Sequence, residues 1–108
     1  MIKYNYANNL SDGERHDIWN KLNYEGEIEY VFSYTERFAN LLSDPAKTRE
    51  VNREDRLELE KWYAKCEIAL SKMEDNVRYS KEIRDQYLER YNKCIEFSGH
   101  INQRSIAD

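Results

Sequence analysis

Three glycines and one proline in 108 residues leave this chain few places to turn sharply. Each hairpin of a β-sheet needs residues that tolerate turn conformations, so a many-stranded fold is excluded and helices must carry the architecture. Leu, Ile, Val and Phe together supply 22 of the 108 residues, close to the ~20% below which chains tend toward disorder. Nine Tyr, three Phe and two Trp lift it clear of that border. With 35% charged residues the core must be small and the surface heavily solvated. At this length the expectation is one domain, residues 1–108, with short arms at both ends.

Helical periodicity divides the chain into about four segments. Ser11 and Glu14 have the spacing of a capping box, in which each side chain satisfies the other residue's free backbone N–H. A first helix is therefore expected from about Asp12 to Lys21 or Asn23, with Ile18, Trp19 and Leu22 inward. Gly26 is expected to break the pattern and Glu27 to resume it. From there Ile28, Val31, Phe32, Thr35, Phe38, Ala39 and Leu42 follow the three-and-four spacing of one face, up to Ser43-Asp44-Pro45. Asp44 is placed to cap a short turn with Pro45 at its first position.

Asn52, followed by Arg53, Glu54 and Asp55, reads as the next helix start. Leu59, Trp62, Tyr63, Cys66, Ala69, Leu70, Met73 and Val77 then span about 120° of arc, the clearest stripe in the chain. Leu57 and Ile68 lie on the opposite side, so this helix is expected to be covered twice. Ile83, Tyr87, Leu88, Tyr91, Cys94 and Ile95 continue on a rotated stripe, which requires a bend between the two sets. Two antiparallel helices, about Asn52 to Asp75 and about Ser80 to Ser98, fit better than one rod of ~70 Å. Gly99 is the expected stop, leaving Ile101 and Ile106, like Tyr4 and Tyr6 at the other end, in arms. The predicted fold is all-α: a small antiparallel bundle of about four helices whose last two form a long hairpin.

The sequence offers no constellation for catalysis. His16 and His100 belong to neither HExxH nor a Glu-x-x-His pair, and the three glycines are isolated, so metal-dependent and nucleotide-dependent enzymes are disfavoured. Asp12 and His16 share a helical face but lack a second ligand pair. Cys66 sits on an apolar stripe, where a thiol behaves as a small hydrophobe, and with Cys94 it is read as reduced even though a fold-back near residue 78 would set the two on neighbouring helices. No enzymatic activity, cofactor or metal is expected. The absence of a long apolar run argues for a cytoplasmic protein that does not enter membranes.

Charge narrows the binding classes. The net charge is -4, and the stretch from Asp12 to Glu36 holds seven acids against two bases, a local charge of -5 that repels DNA and attracts basic clefts. Lys47, Arg49, Arg53 and Arg56 are the one candidate for a phosphate-binding edge, diluted by Glu50, Glu54 and Asp55. Tyr30, Tyr34, Arg37 and Leu41 form a column on the second helix away from its main apolar stripe, with Glu25, Glu27 and Glu29 beside its start. Tyr and Arg are enriched at protein interfaces, so this column is the candidate contact surface, and packing against a neighbouring helix is the competing expectation.

Taken together, the residues point to a non-enzymatic module that occupies a basic surface or cleft of a larger protein as a stoichiometric inhibitor or modulator, without binding nucleic acid directly. In general make-up such a chain is similar to the inhibitors of phages and mobile elements that block nucleic-acid channels of CRISPR effectors, a likeness of composition and not of sequence. A nucleic-acid-binding regulator using Lys47, Arg49, Arg53 and Arg56 is the first alternative. A self-associating helical structural subunit, a homo-oligomer, is the second.

Overall fold

A computed structural model describes residues 5–44 and 51–104. After a single 3-10 turn at Ala7–Asn9, four helices follow: α1 (Asp12–Lys21), α2 (Glu25–Ser43), α3 (Arg53–Glu74) and α4 (Lys81–Arg104). They form the small all-α bundle that the sequence predicts, with α3 and α4 joined as a helical hairpin.

Local chemistry sets the boundaries. Both expected caps are present: Ser11 and Glu14 exchange side-chain and backbone hydrogen bonds at the start of α1, and Asn52 and Asp55 do the same at α3. Those bonds hold the Glu14 carboxyl below its ordinary range. At the hairpin bend the Asn76 side chain accepts from the Arg78 amide at 3.0 Å, and Ser80 Oγ accepts from the Ile83 amide at 3.2 Å, so α4 starts where a cap is available.

Three boundary expectations need correction. α2 begins at Glu25 and runs through Gly26, because glycine in the first turn costs little when the turn's own amides have no helical partner to lose. α4 passes through Gly99 to Arg104, which places Ile101 inside the helix; no glycine of the described residues has a positive φ. Val77 lies beyond the end of α3 and is fully exposed, so it does not extend the stripe. Pro45, Tyr4 and Ile106 lie outside the described residues.

The core sits where α2, α3 and α4 meet. Ile28, Val31, Phe32, Thr35, Ala39 and Leu42 of α2 are buried against Leu59, Tyr63, Cys66, Leu70 and Met73 of α3 and Tyr87, Tyr91 and Cys94 of α4. Phe32 packs on Tyr87 with ring centroids 4.8 Å apart, and Tyr63 meets Tyr91 edge-on at 6.3 Å. Burying a side chain such as Ile28 or Met73 contributes about 1.5–3 kcal/mol, so these three helices hold most of the stability. α1 has no fully buried residue of its own and is secured at its ends instead. Lys72 of α3 donates to the Trp19 carbonyl at the C-terminal end of α1, where a cation also meets the negative end of the helix dipole, and Arg15 donates to the Ala7 carbonyl at 3.2 Å. Ile18 and Trp19 are half-buried against the core and Leu22 is buried.

The far side of α3 is covered only in part. Ile68 is buried, but Leu57, about three turns earlier, remains exposed. Tyr6 docks as an arm, its ring 5.1 Å from that of Tyr63.

Candidate functional site

Two polar clusters hold the bundle together, and of their charged residues the candidate surface includes only Glu29. Glu67 of α3 is completely buried, with 0% of its surface exposed. Its carboxylate accepts from the Tyr6 amide at 3.0 and 3.2 Å, from the Ala7 amide at 2.9 Å and from the Tyr91 hydroxyl, tying the N-terminal segment and α4 to α3. Burial and that bond to Glu67 push the Tyr91 phenol above its ordinary range. Nearby, Tyr63 donates its hydroxyl to the Cys94 carbonyl at 2.9 Å.

The second cluster joins α4 to α2. Arg90 grips Glu29 at 2.8 and 2.7 Å and Glu36 at 3.1 and 2.7 Å, a two-pronged bond to each carboxylate. Ser33 and Tyr87 donate to Glu29 as well. The Arg90 bonds hold the Glu29 carboxyl down at about 2, while burial, together with the Glu29 charge, raises the Tyr87 phenol to about 12. Glu29 is therefore part of an ion-paired cluster within the chain, in which it shares the one guanidinium of Arg90 with Glu36.

On the opposite side of α2 the contacts are aromatic. Tyr34 stacks on Trp62 of α3 at a centroid distance of 4.2 Å and touches Phe38 and Tyr30, each at 6.1 Å. Tyr30 meets the edge of Trp62 at 6.2 Å and keeps 56% of its surface in solvent. The Trp62 indole N–H donates to Glu58 at 3.2 Å, and Lys65 Nζ lies 4.0 Å from the indole ring centre. Trp62 was expected inside the core stripe of α3. It is only half-buried, because it sits at the rim of that stripe and covers the α2 rings from outside.

The expected Tyr30, Tyr34, Arg37 and Leu41 column is thus present but unequal. Tyr34 is half-buried in the ladder, whereas Tyr30, Arg37 and Leu41 are exposed. Glu25 and Glu27 are exposed beside its start, and Glu27 accepts from the Asn23 amide at 2.8 Å. Of the alternative basic edge, Lys47 and Arg49 lie outside the described residues. Arg53 is exposed in the first turn of α3 and Arg56 is half-buried with a partner.

Next to the ladder, α1, α2 and α3 enclose a cleft of about 470 Å³. Ile18, Leu22, Val31, Tyr30 and Trp62 form its apolar lining, with Asp17, Lys21, Glu27 and Lys65 as charged neighbours.

The two thiols are buried and unbridged. Burial raises Cys94 to about 12 and Cys66 also well above the usual thiol range, so both behave as packing groups, and Cys66 donates to Thr35 Oγ1 at 3.4 Å. Asp12 pairs with Arg15, and His16 is exposed; among the described residues no three potential ligands gather to hold a metal. No described helix is long and apolar enough to cross a membrane. No protein family, curated protein or solved structure matches the chain.

Proposed function

We propose that the chain is a non-catalytic protein-binding module whose contact face is the outer side of α2, centred on Tyr30 and bordered by Trp62, Arg37 and Leu41. The observation that carries this reading is the aromatic ladder: Tyr30 is more than half exposed yet already held by Tyr34 and Trp62. A ring fixed in advance loses little freedom on binding, which is what makes Tyr and Trp effective anchors. Arg37 and Leu41 lengthen the face by two turns, and Glu25 and Glu27 leave acidic charge at its start for a basic partner. Glu29 drops out of that steering set because Arg90 holds it in an ion pair toward α4.

In this role the chain acts stoichiometrically, as an inhibitor or modulator of a larger protein. Blockade of a nucleic-acid-handling enzyme, in the manner of phage-encoded inhibitors, is the narrower form of the same reading and rests on composition. The test is capture of partners from the native cell by tagged chain, repeated with Tyr30→Ala and Arg37→Ala. A genuine partner should be lost or dissociate roughly tenfold faster from both variants, in line with about 1–3 kcal/mol per anchor. Partners retained equally by the variants would move the contact surface away from α2.

A further inference from the structure

We propose that the cleft between α1, α2 and α3 is a binding site for a small aromatic carboxylate, its ring lying against Tyr30 and the rim of Trp62 and its anionic end on Lys65. This site shares Tyr30 and Trp62 with the proposed partner face but does not require a partner, since its remaining lining comes from α1, the start of α2 and Lys65.

Size and lining set the ligand class. At about 470 Å³ the cleft falls within the ~300–1,000 Å³ of small-ligand sites, and it occupies the position such sites favour in bundles, between helices. Ile18, Leu22 and Val31 offer an apolar floor and the Trp62 and Tyr30 rings an aromatic wall. The Gly26 side of the cleft is open: a methyl group added there would meet nothing within 4 Å apart from its own chain neighbours and helix backbone.

Charge sets the polar end. Of the two lysines at the cleft, Lys21 is already paired with Asp17 at 3.1 Å. Lys65 has no carboxylate at ion-pair distance among the described residues; its nearest fixed partner is the Trp62 ring. Glu58 accepts from the Trp62 indole and Glu27 from the Asn23 amide, and neither lies at ion-pair distance from Lys65. Burial lowers the Lys65 pKa and the Glu58 charge offsets this only in part, so a carboxylate arriving at ion-pair distance would stabilise the ammonium further. A neutral aromatic would fill the apolar lining but leave this donor unused, and an amine would oppose it.

The test uses 3-indolepropionate and its amide, 3-indolepropionamide, titrated into the full chain by heteronuclear NMR. The acid should shift resonances of Ile18, Leu22, Gly26, Val31, Lys65 and the Trp62 indole saturably, and bind about fivefold or more tightly than the amide. Lys65→Met, which keeps the aliphatic stem over Trp62, should erase that preference while leaving amide binding in place. Gly26→Leu, a favourable change for a helix, should fill the open side and weaken both probes at least about tenfold while circular dichroism stays unchanged. Equal affinity of acid and amide, an undiminished preference in Lys65→Met, or shifts confined to other parts of the molecule would overturn the assignment.

Discussion

The two sides of α2 solve the same packing problem with opposite chemistry. Toward α4, Glu29, Ser33 and Glu36 close on Arg90 and Tyr87, and every charge there has a partner. Toward the first half of α3, Tyr34 stacks on Trp62 with Phe38 beside Tyr34, Tyr30 stays open, and a cleft remains. Ion pairs fixed by five or more hydrogen bonds tolerate one geometry, whereas stacked rings hold position yet leave their outer faces available. The first side therefore locks the bundle, and the second leaves aromatic surface exposed. Glu67 belongs with the locked side, since it ties three parts of the chain into one buried acceptor site.

The strongest way to test this division is to open the locked side at Glu67. Glu67→Ala would leave the Tyr6 and Ala7 amides and the Tyr91 hydroxyl without their acceptor and create a cavity, a loss of about 3–5 kcal/mol. Thermal denaturation should then start well over 10 °C lower, while Glu67→Gln, which keeps one carbonyl oxygen, should lose less. A Glu67→Ala protein as stable as the parent would remove the buried site from the account.

Arg90→Ala comes next. It leaves Glu29 and Glu36 facing each other without a cation, and with partial exposure tempering the cost a loss of about 2 kcal/mol follows, or roughly 10 °C in Tm.

The same cluster should give the bundle an acid-sensitive limb. Glu29 has a folded pKa of about 2, below its ordinary 4.5, so its contribution is complete above about pH 4.5 and disappears as pH falls toward 2. Because the carboxylate is about half exposed, solvent screening reduces this contribution to about 1 kcal/mol. Urea midpoints measured between pH 6 and pH 2.5 should fall by that extra amount in the parent and not in Arg90→Ala, where the pair is already gone.

The smallest effects belong to the open side. Tyr34→Ala removes the central ring of the ladder and should cost roughly 1 kcal/mol, and Tyr30→Ala, exposed at the end, below about 0.5 kcal/mol. Chemical denaturation separates the two. If Tyr30→Ala proved as costly as Arg90→Ala, the ladder would be a structural seam and the contrast between the two sides would collapse.

Both helix-start caps, the α2 stripe from Ile28 to Leu42 and the bend before Ser80 were legible in the sequence, because caps and periodicity depend on residues within a turn or two of each other. Gly26 and Gly99 were misread for the complementary reason. A glycine stops a helix only when the chain has somewhere else to go, and that depends on what the flanking turns pack against. The Tyr30, Tyr34, Arg37 and Leu41 column was visible as a helical spacing, but its division into a half-buried Tyr34 and an exposed remainder came from Trp62, a residue of another helix. Glu67 and Arg90 had left a signal: each is a charged residue within an apolar stripe, Glu67 between Tyr63 and Leu70, Arg90 between Tyr87 and Cys94. Spacing alone marks such residues without naming their partners. Tyr6 is 61 positions from Glu67 and Glu29 is 61 from Arg90, distances over which only the tertiary fold decides which charge meets which donor. The sequence thus determined the helices and their inward faces, by local energetics; the long-range pairing of polar groups, and with it which side of α2 is locked and which remains open, was decided by how those helices pack.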